Sequence, residues 1–210
     1  MTFYDGYNDV QVKQAAMKQR LNTIKLPVIR FYAMRSLILG ILMSVSMAEA
    51  NAGGVYQEPD AFINEVFDNA PPKPKVLWLN KELKAQIVDI LDHKYKGLRV
   101  RYWQQDVEHK RRTAWILDEI GKEKPITVGI VVDDEKIELV KVLVFRESRG
   151  WEVRHDFFTR QFKQVALKED NRLDKHIDNI SGATLSVRAL TKLARIALLL
   201  DAQLDKQAGS

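Results

Sequence analysis

Ile126-Thr127-Val128-Gly129-Ile130-Val131-Val132, then Asp133-Asp134-Glu135-Lys136, then Ile137-Glu138-Leu139-Val140-Lys141-Val142-Leu143-Val144-Phe145 is the run that decides the fold. Ile126, Val128, Ile130 and Val132 alternate with their neighbours, which is the period of a strand. Four polar residues interrupt the run, and a second β-rich segment follows. Alternation across a short polar turn predicts an antiparallel hairpin turning near Asp133–Lys136. Upstream, Leu98, Val100 and Tyr102 alternate with Arg99, Arg101 and Trp103, and Trp115 to Ile120 is a further candidate strand. Several such strands predict a twisted sheet with one buried face.

Further towards the N-terminus the pattern becomes mixed. Pro59 suits a first helical turn, and Phe62, Ile63, Val66 and Phe67 follow at helical spacing. Ala70-Pro71-Pro72-Lys73-Pro74 breaks the chain. Val76 to Leu79 reads as a short strand. Asn80 then caps a helix whose apolar face is Leu83, Ile87, Ile90 and Leu91, with Gly97 closing it. Beyond the hairpin, Leu190, Leu193, Ala197, Leu200 and Leu204 form the apolar stripe of a last helix from about Leu185 to about Leu204. Arg188, Lys192 and Arg195 form a second stripe, expected to be solvated, with an acidic partner as the alternative. The fold class is therefore α+β, a twisted antiparallel sheet packed by helices.

The first 52 residues are of another kind. Arg35 precedes an apolar run from Leu37 to Met47, and small residues follow, with Ala48-Glu49-Ala50 and Ala50-Asn51-Ala52 each fitting an A-x-A cleavage site. This is the three-part pattern of a signal peptide. It predicts a periplasmic protein cleaved after Ala50 or Ala52. An uncleaved membrane anchor is the alternative, although the run is shorter than the roughly 20 residues a comfortable span needs. Met34 stands just before the basic residue, so either translation starts there or residues 1–33 are a long basic leader. Gly53-Gly54 reads as a flexible exit. The expected organisation is a leader over 1–52, an N-terminal helical segment over 53–94 and a main domain over 95–207.

Residues 1–52 hold six Lys or Arg and three Asp or Glu, which leaves +2 for residues 53–210 of the chain's +5. That balance carries no nucleic-acid footprint. His109-Lys110-Arg111-Arg112 is a local basic cluster expected at a solvated hairpin tip. The absence of cysteine excludes thiolate metal sites, c-type haem attachment and thiol catalysis. His93, His109, His155 and His176 lack the close spacing of the familiar metal motifs. No dinucleotide fingerprint, phosphate loop or Gly-x-Ser-x-Gly occurs, so a hydrolase is not indicated.

The last helix is preceded by Asp178-Asn179-Ile180-Ser181-Gly182-Ala183-Thr184-Leu185-Ser186. A helix N-terminus offers unpaired N–H groups and partial positive charge, a ready place for a phosphate. Gly182 and Ala183 leave little bulk beside the Thr184 hydroxyl. The same residues also suit a plain helix cap, with Ser181 or Thr184 capping and Gly182 supplying backbone freedom.

The stretch resembles the flavinylation motif of the FMN-binding domain family, which includes the FMN-carrying subunits of the sodium-pumping NADH:quinone reductase and of the Rnf complex. That motif reads Asp, two residues, Ser or Thr, Gly, Ala, Thr or Ser, and is met here by Asp178, Ser181, Gly182, Ala183 and Thr184. A second resemblance lies at Glu147, Ser148 and Gly150, where the family has Glu-Thr followed by Gly. Phe157 to Phe162 resembles an aromatic-and-Gln helix that covers the site. The resemblance covers roughly residues 95–200. It implies FMN as cofactor, joined to the Thr184 hydroxyl as a phosphoester by a flavin transferase that uses FAD as donor.

Glu147 and Ser148 would hydrogen-bond the flavin or its ribityl chain, and Trp151, Phe157 or Phe158 would stack on its ring. Asp178 either shapes the turn or is read by the transferase. The implied role is an exported electron carrier between a membrane donor and a periplasmic or membrane acceptor, rather than a stand-alone enzyme. The alternatives are a small flavin-dependent reductase and an exported binding module whose site is unused.

Overall fold

The computed structural model describes residues 53–108 and 110–208. The expectations of a cleaved leader, of export and of a membrane anchor fall on residues 1–52, outside the described residues. No helix among those described is long and apolar enough to cross a membrane.

Six strands form one antiparallel sheet: β1 (Gly54–Val55), β2 (Lys75–Trp78), β3 (Arg99–Val107), β4 (Lys110–Ile120), β5 (Pro125–Asp133) and β6 (Lys136–Phe145). Their order is β1-β6-β5-β4-β3-β2, a meander of β2 to β6 with β1 added at the far side. The predicted hairpin is β5–β6, with Asp133 opposite Lys136. Asp134 and Glu135 both have positive φ, 51° and 64°, as a two-residue type I′ turn requires. The register shifts twice along this pair, between Thr127 and Val128 and between Val131 and Val132, so Leu143 and Glu138 are bulged residues on β6.

Helices lie on both faces. α1 (Pro59–Val66) starts at Pro59 as expected, and α2 (Lys81–Leu91) is capped by Asn80, whose Oδ1 accepts the Leu83 N–H at 2.8 Å. Gly97 does not close α2. The helix ends at Asp92 in the left-handed conformation, φ 61°, with its N–H donating to the Val88 carbonyl. Two short pieces, a 3₁₀ turn at Trp151–Arg154 and α3 (Asp156–Thr159), lead to a second 3₁₀ turn at Arg160–Phe162. The expected aromatic-and-Gln helix is thus broken into two short turns. α4 (Thr184–Ala208) is the last helix, and its whole predicted apolar stripe is buried.

The larger core lies between one face of the sheet and α2 and α4. Val128, Ile130, Val132, Trp115 and Tyr102 meet Leu190, Leu193, Ala197 and Leu200 there. The expectation of a single buried face is corrected by the second core, where Phe62, Ile63, Val66 and Phe67 of the α1 region cover Ala114, Val131, Leu143 and Val144. The physical reason is Gly129. A Cβ there would stand 2.6 Å from the Phe62 ring, so the missing side chain lets α1 lie directly on the strand. β5 is consequently buried on both faces from Ile126 to Val132.

Residues 53–94 hold two helices and also both edge strands. Gly54, expected in a flexible exit, pairs with Phe145. Gly53 passes so near the end of β6 that a Cβ would lie 2.9 Å from the Phe145 carbonyl oxygen.

The basic residues are less solvated than expected. Arg111 bonds Asp201 and Asp205 of α4, and Arg112 bonds Glu138 and the Val66 carbonyl on the opposite face. Lys192 donates to the Leu91 carbonyl at the end of α2, and Arg195 to the Asn171 carbonyl. Only Arg188 of that stripe is exposed. Each of these cations finds a carbonyl or carboxylate distant in sequence, which composition alone does not reveal.

Candidate functional site

Two stretches separated by some thirty residues meet at the N-terminus of α4. Asp178, Asn179, Ile180 and Ser181 approach as an irregular, largely exposed strand of chain. The Asp178 N–H donates to Gln161 Oε1 at 2.7 Å, which ties the approach to the turn at Arg160–Phe162. A tight turn follows, closed by the Ala183 N–H donating to the Ile180 carbonyl at 2.9 Å. Its third residue, Gly182, has φ +83°, a value that glycine adopts at no steric cost. A Cβ on Gly182 would meet nothing within 4 Å. The glycine is therefore required for backbone conformation, and the space beside it is open. Ala183 is buried, so its methyl belongs to the core and not to the approach.

Thr184 is the first residue of α4 and is exposed. The first main-chain bond of the helix runs from the Val187 N–H to the Ala183 carbonyl. The amides of Thr184, Leu185 and Ser186 consequently have no acceptor in the helix. Asn179 Nδ2 donates to Thr184 Oγ1 at 3.1 Å and fixes the hydroxyl side of the turn. The neighbouring hydroxyl of Ser186 is 4% exposed and turned inward. Of the two hydroxyls in this turn of helix, Thr184 alone is presented outward.

The second stretch follows β6. Gly150 has φ +85°, and a Cβ there would stand 2.5 Å from Ser186 Oγ and 3.4 Å from Ala183 Cα. Glycine at this position thus permits both the turn and the close approach to α4. Together Lys122, Glu147, Ser148, Arg149 and the residues Gly182 to Ser186 line an open cleft of about 550 Å³. This lies within the range of cofactor-sized sites.

Glu147 is 6% exposed. Its Oε1 accepts the backbone N–H groups of Lys122, Glu123 and Lys124 at 2.5, 2.6 and 2.8 Å, so the side chain holds the β4–β5 turn in place. Burial pushes the Glu147 carboxyl up, but the three amide donors outweigh it and hold the group below its ordinary value. Glu147 thus borders the cleft while its main bonds organise the protein itself. Ser148 is exposed on the cleft wall. Asp178 is exposed, 3.8 Å from His176 Nε2. Phe158 is fully buried against Phe162, which removes it from the candidates for ring stacking. Trp151 and Phe157 remain, joined through His155 at centroid distances of 5.3 and 6.1 Å.

Sequence reasoning missed Lys122 and Arg149. Both are exposed cations on the cleft wall, and the family motif does not include them. A helix N-terminus with unpaired amides, flanked by two cations, suits a phosphate. The cleft volume and the outward hydroxyl suit a phosphate-bearing cofactor of FMN's size.

Residues 121–199 match the family model described as the FMN-binding domain. The match opens at Gly121, in the turn that Glu147 holds, and takes in β5, β6, both stretches of the cleft and most of α4. No curated protein and no solved structure matches the chain.

Proposed function

Because residues 121–199 are an FMN-binding domain with FMN as its cofactor, we propose that this protein is an exported electron carrier whose FMN is joined to Thr184 as a phosphoester. The observation that carries this reading is the placement of the Thr184 hydroxyl: exposed, first in a long helix, and inside the cleft shared with Ser148 and Arg149. When bound, FMN supplies one- and two-electron transfer. The attachment joins Thr184 Oγ1 to the FMN phosphorus of FAD. The bond from that phosphorus to the AMP part breaks, AMP leaves, and the hydroxyl proton passes to a base of the transferase.

The chain's own residues serve this step in distinct ways. Gly182 turns the backbone, Asn179 orients the hydroxyl, and the unpaired amides of the first helical turn receive phosphate oxygens. Lys122 and Arg149 balance the phosphate charge. Asp178 stands exposed before the turn, where a transferase reaches it without disturbing the core. A tether of this kind leaves the redox-active ring untouched and retains the cofactor outside the cytoplasm. Electrons then pass between a membrane donor and a periplasmic or membrane acceptor.

The test is in-gel flavin fluorescence of denatured protein coexpressed with a flavin transferase. Thr184→Val keeps the shape, removes the hydroxyl and is expected to abolish the signal, while Thr184→Ser retains part of it. Ser186→Ala is expected to load fully. Full fluorescence in Thr184→Val would place the attachment elsewhere.

A further inference from the structure

Antiparallel connection gives the sheet two unlike ends. At one end lie the end of β2, the start of β3, the β4–β5 turn and the end of β6, because Trp78 pairs with Arg99, Ile120 with Pro125 and Ile126 with Phe145. The cleft opens at this end, since Glu147 and Lys122 belong to it. Exposed cations gather here: Lys94, Lys96 and Arg99 lead into β3, Lys122 and Lys124 lie in the β4–β5 turn, and Arg149 follows β6. Of the acids of this end, Glu119 is buried on His93 and Glu147 on the β4–β5 amides, while Asp92, Asp118 and Glu123 are exposed, so six exposed cations stand against three exposed carboxylates. The opposite end is mixed, with Asp106, Glu108, Asp133 and Glu135 set against Lys110 and Lys136.

The same cationic end exposes large apolar side chains. Trp78 is 61% exposed, Leu98 64% and Ile120 54%. Arg99 lies over the Trp78 ring at 5.6 Å. Beside them runs the outer edge of β2, which pairs with no further strand among the described residues. The Leu79 N–H donates to the Leu98 carbonyl at 3.0 Å, so by alternation the backbone groups of Val76 and Trp78 point away from β3. Three strand spacings of about 4.8 Å separate β2 from β5, which places this edge about 14 Å from the strand that begins at the cleft turn.

We propose that this end of the sheet is the docking face for an acidic electron-transfer protein, which seats apolar residues on Trp78 and Ile120 and faces the cleft across its cationic rim. The inference rests on the electron-carrier reading and names the chemistry of its partner. Opposite charge steers the encounter, and the apolar centre holds the complex. A protein partner fits better than an anionic lipid surface, because the outward N–H and C=O groups of β2 are matched by another strand and not by lipid. A second copy related by a two-fold axis would set these cations against themselves. Residues 1–52 hold six basic residues against three acidic, and so lack the complementary charge.

The experiment titrates the full chain with an acidic [2Fe–2S] ferredoxin as probe, by calorimetry at low and high salt. Binding is expected at low salt and is expected to weaken steeply as salt rises. Lys96→Glu and Arg99→Glu should each raise Kd about tenfold, and Trp78→Ala should weaken binding in a salt-independent way. Lys136→Glu, at the other end of the sheet, should change nothing. No binding at low salt, or equal loss in Lys136→Glu, overturns the proposal. So does adhesion to phosphatidylglycerol vesicles that falls with Lys96→Glu and Arg99→Glu while the ferredoxin affinity stays the same. Flavin content is read separately by in-gel fluorescence. Charge-dependent binding without flavin would sink the carrier reading and leave the docking face standing.

Discussion

Two glycines and one carboxylate build the cleft, and they do so in separable ways. Gly150 and Gly182 both sit at positive φ, but only Gly150 is also crowded, by Ser186 Oγ. Gly182→Ala is expected to cost about 1 kcal/mol in backbone strain, with flavin loading reduced but present. Gly150→Ala should cost more, by roughly a further 1–3 kcal/mol from overpacking, and should spoil the cleft. Thermal melts of the two variants side by side check the ordering, and equal losses would refute the crowding. Glu147 predicts a pH dependence. Its folded carboxyl titrates below the ordinary value, so its stabilisation is present above the unfolded pKa and is lost as pH falls through the folded one. Melts from pH 7 downwards should show that acid loss in the unmodified protein, and Glu147→Gln should reduce it. The two resembling stretches singled out Thr184, Gly182 and Glu147 in the sequence. The bonds that Glu147 makes were not legible there, because its partners are backbone amides, and a sequence does not say where those point.

Elements with a single strong period were legible, and elements defined by their partners were not. The β5–β6 hairpin and α4 emerge almost where periodicity puts them, since alternation and a long apolar stripe each allow one burial solution. Proline at Val128 or Val142 is expected to lower the melting temperature sharply, because each stands in an interior strand. An unchanged melt in both would contradict the ladder. The tie between β4 and α4 was invisible, although it is among the strongest features of the domain. Asp201 is 1% exposed and accepts the Thr113 hydroxyl at 2.6 Å and Arg111 Nη2 at 2.8 Å, while Trp115 Nε1 donates to Thr113 Oγ1 at 2.9 Å. Ninety residues separate Arg111 from Asp201, so the arginine reads as a solvated tip. Asp201→Ala leaves the buried Thr113 hydroxyl without its acceptor and takes one of two carboxylates from Arg111, which keeps Asp205, and is expected to cost roughly 1–3 kcal/mol. Chemical denaturation measures this. A loss under 1 kcal/mol would mean that water satisfies both groups.

At the scale of the whole molecule, the sheet is covered on both faces, and the N-terminal segment supplies the second cover. Composition shows α1 as amphipathic but does not say what it packs on. Gly129 inside a strand reads as a weakness and is in fact the seat of Phe62. Phe62→Ala is expected to cost roughly 3–5 kcal/mol by leaving a cavity over β5, and a change under 1 kcal/mol would detach α1 from the core. The order in which the structure is completed follows from one pairing. β2 to β6 join neighbour to neighbour, and such contacts close short loops. β1 meets β6 across ninety residues, with Gly54 opposite Phe145, and long closures of this sort are slow. The first strand of the domain to be synthesised is thus among the last to find its place, and until β4 and β5 are available the apolar face of α1 has no seat. A chain that begins folding before β5 has emerged carries Phe62 and Ile63 in the open, in want of a temporary holder.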